Sequence, residues 1–119
     1  MQRWFSPALV LYSEDPRRTA AFYKAIGLSF EKGRHGSGPP RFAAELDDFT
    51  LEIYPQPKRR RRRGAGSSRL ILHVADPERI MAELASLGAS AGRHKEGACG
   101  LSVLVRDPDG REVLLVRPE

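Results

Sequence analysis

The chain of 119 residues has a single cysteine, Cys99, which excludes an internal disulfide and a thiolate metal cluster and fits a reducing compartment. Standing alone in a Gly-rich stretch, that thiol is not expected to be catalytic. No apolar run approaches the roughly 18 residues that a membrane span needs, so no membrane partner is expected. The opening MQRWFSPAL has no signal-peptide pattern, because its apolar stretch is short and runs straight into a strand, and the expected location is cytoplasmic. The length leaves no room for separate catalytic and regulatory domains. An apolar fraction of 40% with 29% charged residues is that of an ordinary globule.

What the chain does contain is a repeat. Residues 9–30, LVLYSEDPRRTAAFYKAIGLSF, align without a gap on residues 70–91, LILHVADPERIMAELASLGASA. Leu9, Leu11, Asp15, Pro16, Arg18, Ala21, Gly27 and Ser29 recur as Leu70, Leu72, Asp76, Pro77, Arg79, Ala82, Gly88 and Ser90. Two copies of one supersecondary unit, each too small to bury its own apolar face, place the function between them.

Each copy reads as strand, helix, then further strands. The first apolar run ends at Asp-Pro, where the carboxylate accepts from free helix N–H groups and proline supplies a helical φ. Thr19, Tyr23 and Ile26 in the first copy, and Ile80, Leu84 and Leu87 in the second, mark the buried helix faces, with Gly27 and Gly88 as left-handed caps. Residues 41–46 and 49–54 read as strands joined across Asp47 and Asp48; 101–106 and 111–116 are joined by the turn Asp107-Pro108-Asp109-Gly110. Short strands near 28–33 and 89–94 complete a βαβββ plan in each copy. The predicted organisation is a first module at 1–55, a basic Gly/Ser linker at 56–68 and a second module at 69–119, together one structural domain.

The linker holds Lys58 to Arg63, six consecutive cations that account for more than the whole formal charge of +5. Such a run is usually a solvated loop, and no aromatic stacking groups accompany it. The other reading is an arm for nucleic acid or anionic lipid; weak, salt-sensitive adhesion to polyanions is expected in either case.

The βαβββ repeat, the segment DPRRTAAFYKAIGLSF, the strand TLEIY and the C-terminal DPDGREVLLV resemble the glyoxalase/bleomycin-resistance/extradiol dioxygenase group, the vicinal oxygen chelate superfamily. The resemblance covers nearly the whole chain outside the linker. It implies an α+β fold in which two tandem modules form curved half-barrels around a cleft, often across a homodimer. Enzymes of the group hold a divalent metal through one residue on the first and one on the last strand of each module. Carried over, those positions fall on Ala8 and Glu52 in the first module and on Arg69 and Leu114 in the second. Only Glu52 has a donor oxygen, whereas transition-metal sites need two or three protein ligands. A guanidinium at 69 would add repulsion of about 4 kcal/mol toward a cation at close range. No metal or other cofactor is therefore expected.

Strand alternation selects the other cleft-facing groups. With Leu9 and Leu11 packed on one helix and Leu70, Leu72 and Val74 on the other, Ala8, Val10 and Tyr12 and then Arg69, Ile71 and His73 turn to the cleft. Thr50, Glu52 and Tyr54 share one face of their strand, and Glu112, Leu114 and Val116 one face of theirs. Val10, Tyr12, Glu52, Tyr54, Arg69, Ile71, His73 and Leu114 thus form the predicted ligand site, suited to a small organic compound with one or two polar handles. Arg69 either pairs with Glu52 or grips an anionic oxygen of the ligand. Glu52 and His73 are the candidate acid and base, although a lone strand histidine is more often structural. His35 and His94 are expected at the surface, and Trp4 and Phe5 on a sheet edge or dimer contact.

The resulting expectation is a homodimeric, metal-independent binder of an antibiotic or metabolite, neutral or anionic rather than cationic. Two alternatives stand beside it: a metal-dependent lyase, isomerase or dioxygenase using Glu52, His73 and loop histidines, and a polyanion-binding module acting through the polyarginine run.

Overall fold

In both copies Asp-Pro starts a helix as its chemistry predicts. Asp15 Oδ1 accepts the Arg18 backbone N–H at 3.3 Å, Asp76 Oδ1 accepts that of Arg79 at 3.1 Å, and a proline opens each helix. The computed structural model describes residues 7–34, 36–57, 69–89 and 100–118, together with the backbone of 91–97. Trp4, Phe5, His35, Cys99 and the run Lys58 to Arg63 lie outside the described residues.

The first module runs β1 (Ala8–Ser13), α1 (Pro16–Ile26), β2 (Glu31–Arg34), β3 (Pro40–Glu45) and β4 (Thr50–Pro55). The second repeats it as β5 (Arg69–His73), α2 (Pro77–Ser86), β6 (Ala91–Gly97), β7 (Gly100–Arg106) and β8 (Glu112–Arg117). Each module is one four-stranded open sheet, ordered β1-β4-β3-β2 and β5-β8-β7-β6. The first strand pairs in parallel with the last, Leu9 opposite Leu51 and Leu70 opposite Val113, and the remaining pairs are antiparallel. The α+β class and the βαβββ order are those read from the sequence. Contacts divide the chain into two compact units, Met1–Arg61 and Arg62–Glu119.

Burial alternates along the strands, so each sheet has one face on its helix and one open face. Leu51 and Ile53 on β4 are fully buried, as are Val113 and Leu115 on β8. Against them pack Phe22, Tyr23 and Ile26 of α1, and Ile80 and Leu84 of α2. Two members of the predicted core differ. Leu87 is 52% exposed because α2 ends at Ser86 and Leu87 has left the helical stripe as its cap residue, and Leu9, at the start of β1, is 40% exposed.

Gly27 at φ +130° and Gly88 at φ +79° close the helices in backbone conformations that side chains rarely adopt. The next N–H groups, of Leu28 and Ala89, return to the Tyr23 and Leu84 carbonyls at 3.1 and 3.0 Å. In the second module Asp107, 4% exposed, holds the β7–β8 turn: its carboxylate accepts the backbone N–H groups of Asp109 and Arg111 and pairs with Arg111 Nη1 at 2.9 Å.

Candidate functional site

Register places a concentrated set of side chains on the open face of the first sheet. Val10 stands opposite Glu52, Glu52 opposite Ala43, and Ala43 opposite Glu31, forming one row across all four strands. A second row runs from Ala8 through Thr50 to Glu45, and Arg41 stands opposite Gly33. Where neighbours are large a sheet face is filled; here Ala8, Gly33 and Ala43 contribute little bulk, and a cavity of about 820 Å³ lies over them. Its described walls add Ser29, Thr50, Glu31, Glu45, Glu52 and Arg41, with the backbone of the edge strand β2 passing through Lys32 and Arg34, whose side chains alternate to the other face.

Arg41 and Glu52 form the least exposed ion pair of this face. Arg41 Nε lies 2.9 Å from Glu52 Oε2, with the two side chains 18% and 14% exposed. The buried Nε–H is not aimed along that line and donates no hydrogen bond among the described residues. Arg41 Nη1 lies 3.4 Å from the point where a Cβ on Gly33 would sit, so the guanidinium lies close over Gly33.

Of the residues predicted from the sequence, Ala8 and Glu52 line this cavity. Val10 and Tyr12, 37% and 40% exposed, continue the same face, with Tyr12 and Tyr54 in a tilted ring contact at 6.5 Å between centroids. Arg69, Ile71, His73 and Leu114 belong to the open face of the second sheet. There Arg69 stands opposite Glu112 and donates from Nε and Nη2 to Glu112 Oε1 at 2.9 and 2.8 Å, while Arg106 Nη2 approaches Oε2 at 3.3 Å. Hydrogen bonding from Arg69, with a smaller contribution from Arg106, holds the Glu112 carboxyl below its ordinary value. Each predicted partner thus has an ion pair within its own sheet, Glu52 with Arg41 and Arg69 with Glu112. His73 is exposed on β5, and His94 falls in β6 with its backbone opposite Val103.

The sequence reading missed Arg41, Gly33, Ala43, Glu31 and Glu45. The same alternation that selected Glu52 would have found them once 28–33 and 41–46 were paired with the strand at 50–55, because Ala43 and Glu45 then fall on the Glu52 face.

The four positions that the resemblance implies for metal donors offer a poor donor set. Ala8 and Leu114 have no donor atom, Arg69 is cationic, and Glu52 is already ion-paired. Among the described residues no three His, Cys, Asp or Glu side chains come together to hold an ion.

No curated protein matches the chain. Solved structures do. TnmS3, an antibiotic binding protein from Streptomyces sp. CB03234, superposes with a TM-score of 0.75 at 20% identity, covering 100% of this chain and 99% of its own. A glyoxalase/bleomycin resistance protein from the same organism gives 0.71 at 20%, covering 95% and 100%. Lactoylglutathione lyase from Agrobacterium tumefaciens gives 0.64 at 18%, covering 98% and 96%. At these identities the likeness is one of fold, which hosts both a binder and a lyase. The profile of the glyoxalase-like domain family matches residues 8–116, nearly the whole chain. This protein therefore belongs to the glyoxalase-like domain family, within the glyoxalase/bleomycin-resistance/extradiol dioxygenase superfamily.

Proposed function

We propose that this protein binds a small organic molecule on the open face of its first sheet and does so without a metal ion. The observation that carries the reading is the cavity over Ala8, Gly33 and Ala43, of a volume usual for drug-sized ligands, whose Glu52 is engaged by Arg41. An alanine at the first-strand position gives up a donor atom and gains room, a change that favours a guest over an ion. TnmS3, an antibiotic binding protein, shares the fold over its full length, which supports the reading.

The test is a thermal-shift screen of metabolites and antibiotics in the presence of chelator, with metal analysis of protein purified without chelator. A ligand at one hundred times its Kd adds about 2.7 kcal/mol to the native state and raises Tm. The expected result is a set of hits that persist in chelator and disappear in Ala43→Leu, which fills the cavity floor. A stoichiometric transition metal, or hits that vanish on chelation, would overturn the proposal in favour of a metal-dependent enzyme.

A further inference from the structure

The charge of the cavity is opposite in sign to that of the chain. By register, the charged side chains on the open face are Glu31, Glu45, Glu52 and Arg41, because Lys32 and Arg34, opposite Phe42 and Pro40, turn to the other face. Arg41 and Glu52 form an ion pair and cancel. Glu31 and Glu45 have no ion-pair partner among the described residues, so the lining keeps two net negative charges in a chain of formal charge +5.

The geometry lets one group on a guest meet both. Glu31 stands across from Ala43, and Glu45 lies two residues beyond Ala43 along β3 on the same face. Backbone to backbone, Ala43 is roughly 5 Å from the first and roughly 7 Å from the second, and it puts only a methyl group between them. Thr50, opposite Glu45, adds a hydroxyl oxygen. An ammonium group has three N–H donors and no acceptor, so two carboxylates and a hydroxyl complement it. An apolar group there would strip water from the carboxylates and return nothing, and an anion would meet like charge.

A separate feature of the same cavity asks for an acceptor. Arg41 Nε–H is buried and donates to nothing among the described residues, and the Nη groups, lying over Gly33, have no described acceptor either. Glu52 already supplies the countercharge, so a neutral carbonyl oxygen satisfies these donors without bringing a further negative charge onto an acidic face.

We infer that the ligand is a cation: an amine, protonated at neutral pH, with its ammonium group over Ala43 between Glu31 and Glu45 and a neutral oxygen acceptor on Arg41, about 7 Å away along β3. This reverses the expectation of a neutral or anionic guest, which rested on Arg69 and on the net charge. Arg69 belongs to the second sheet and is bound to Glu112, and the surplus charge lies in Lys58 to Arg63. Beyond Glu52 the face continues onto Val10, Tyr12 and Tyr54, which suits an apolar or aromatic tail.

The inference rests on the binding site proposed above, and matched probes separate the two. N-benzyl-3-aminopropanamide carries both groups. N-benzylbutanamide replaces its ammonium by a methyl, N-benzylsuccinamate replaces it by a carboxylate, and 5-phenylpentylamine keeps the ammonium without the carbonyl. In calorimetric titration of the full-length protein at neutral pH, the aminoamide is expected to bind at least about tenfold tighter than each of the others, the loss that follows from leaving one charge-assisted contact unmade. Glu31→Gln made together with Glu45→Gln, both exposed side chains, is expected to bring the aminoamide and N-benzylbutanamide to within about twofold, with circular dichroism verifying the fold. Equal or tighter binding of any other probe, a preference that survives the double substitution, or no binding of the aminoamide while other library compounds bind overturns the cation inference and leaves the binding site standing. Failure of every compound in the library overturns both.

Discussion

Glu112 lies between two guanidinium groups, and its proton reports on the open face of the second sheet. Arg69 is the larger influence, and together with Arg106 it keeps the carboxyl below its ordinary value of 4.5. A carboxylate whose folded value is depressed contributes stability that is complete above the unfolded value and is lost as pH falls through the folded one. Urea midpoints of the wild type and Glu112→Gln are therefore expected to differ by a constant amount above about pH 5 and to converge as pH drops below 4.5. Because these side chains are partly exposed, the difference should also shrink in 1 M salt; a difference that is flat down to pH 3 would refute the assignment. At this scale the sequence was legible for what each residue can do and much less so for what it touches. That Glu52 faces the open side of β4 follows from alternation alone. That it pairs with Arg41 depends on the β3–β4 register, and no local pattern in RFAAEL fixes that register.

Among the elements, the strand-to-helix junction was read most fully, because Asp-Pro determines it locally. The two copies nevertheless solve the junction's packing differently. In the first, Ser13 and Thr19 are fully buried and share a hydrogen bond of 2.9 Å, and Ser13 Oγ also accepts the Asp15 backbone N–H at 3.1 Å. At the corresponding positions of the second copy stand Val74 and Ile80, an apolar pair. A hydrogen bond between two buried groups costs most when only one partner is removed. Ser13→Ala and Thr19→Val, both close in shape to the residues they replace, should each destabilise by about 1–2 kcal/mol in urea unfolding. The double variant should cost at least about 0.5 kcal/mol less than the two single costs combined, since it leaves no half of the pair behind. Strict additivity would mean that the two hydroxyls act independently. Leu87 marks the limit of this kind of reading: its spacing from Ile80 and Leu84 is helical, but burial required one more residue of helix than the chain makes.

Across the whole molecule, the repeat gives two sheets of the same topology and distributes their chemistry unequally. The cavity with small residues on its floor belongs to the first sheet, whereas the matching row of the second carries Ile71 opposite Leu114 and Arg69 bound to Glu112. The net charge of +5 comes from neither sheet in particular, since deleting Lys58 to Arg63 leaves the remainder slightly negative. Adhesion to polyanions should then be a property of that run alone, and separable from ligand binding. Six cations release at most about six counterions from duplex DNA, which gives log K against log salt a slope near −5 and removes roughly a thousandfold of affinity between 50 and 200 mM salt. Fluorescence anisotropy with an arbitrary DNA duplex should accordingly detect binding at 50 mM salt, lose it by about 200 mM, and see none in a chain lacking residues 58–63. The same deletion should leave thermal shifts by cavity ligands unchanged, because the described walls of the cavity are supplied by the strands of the first sheet and by Ser29. Tight, sequence-selective binding that survives 200 mM salt would instead make the basic run the working part of the protein and the sheets its support.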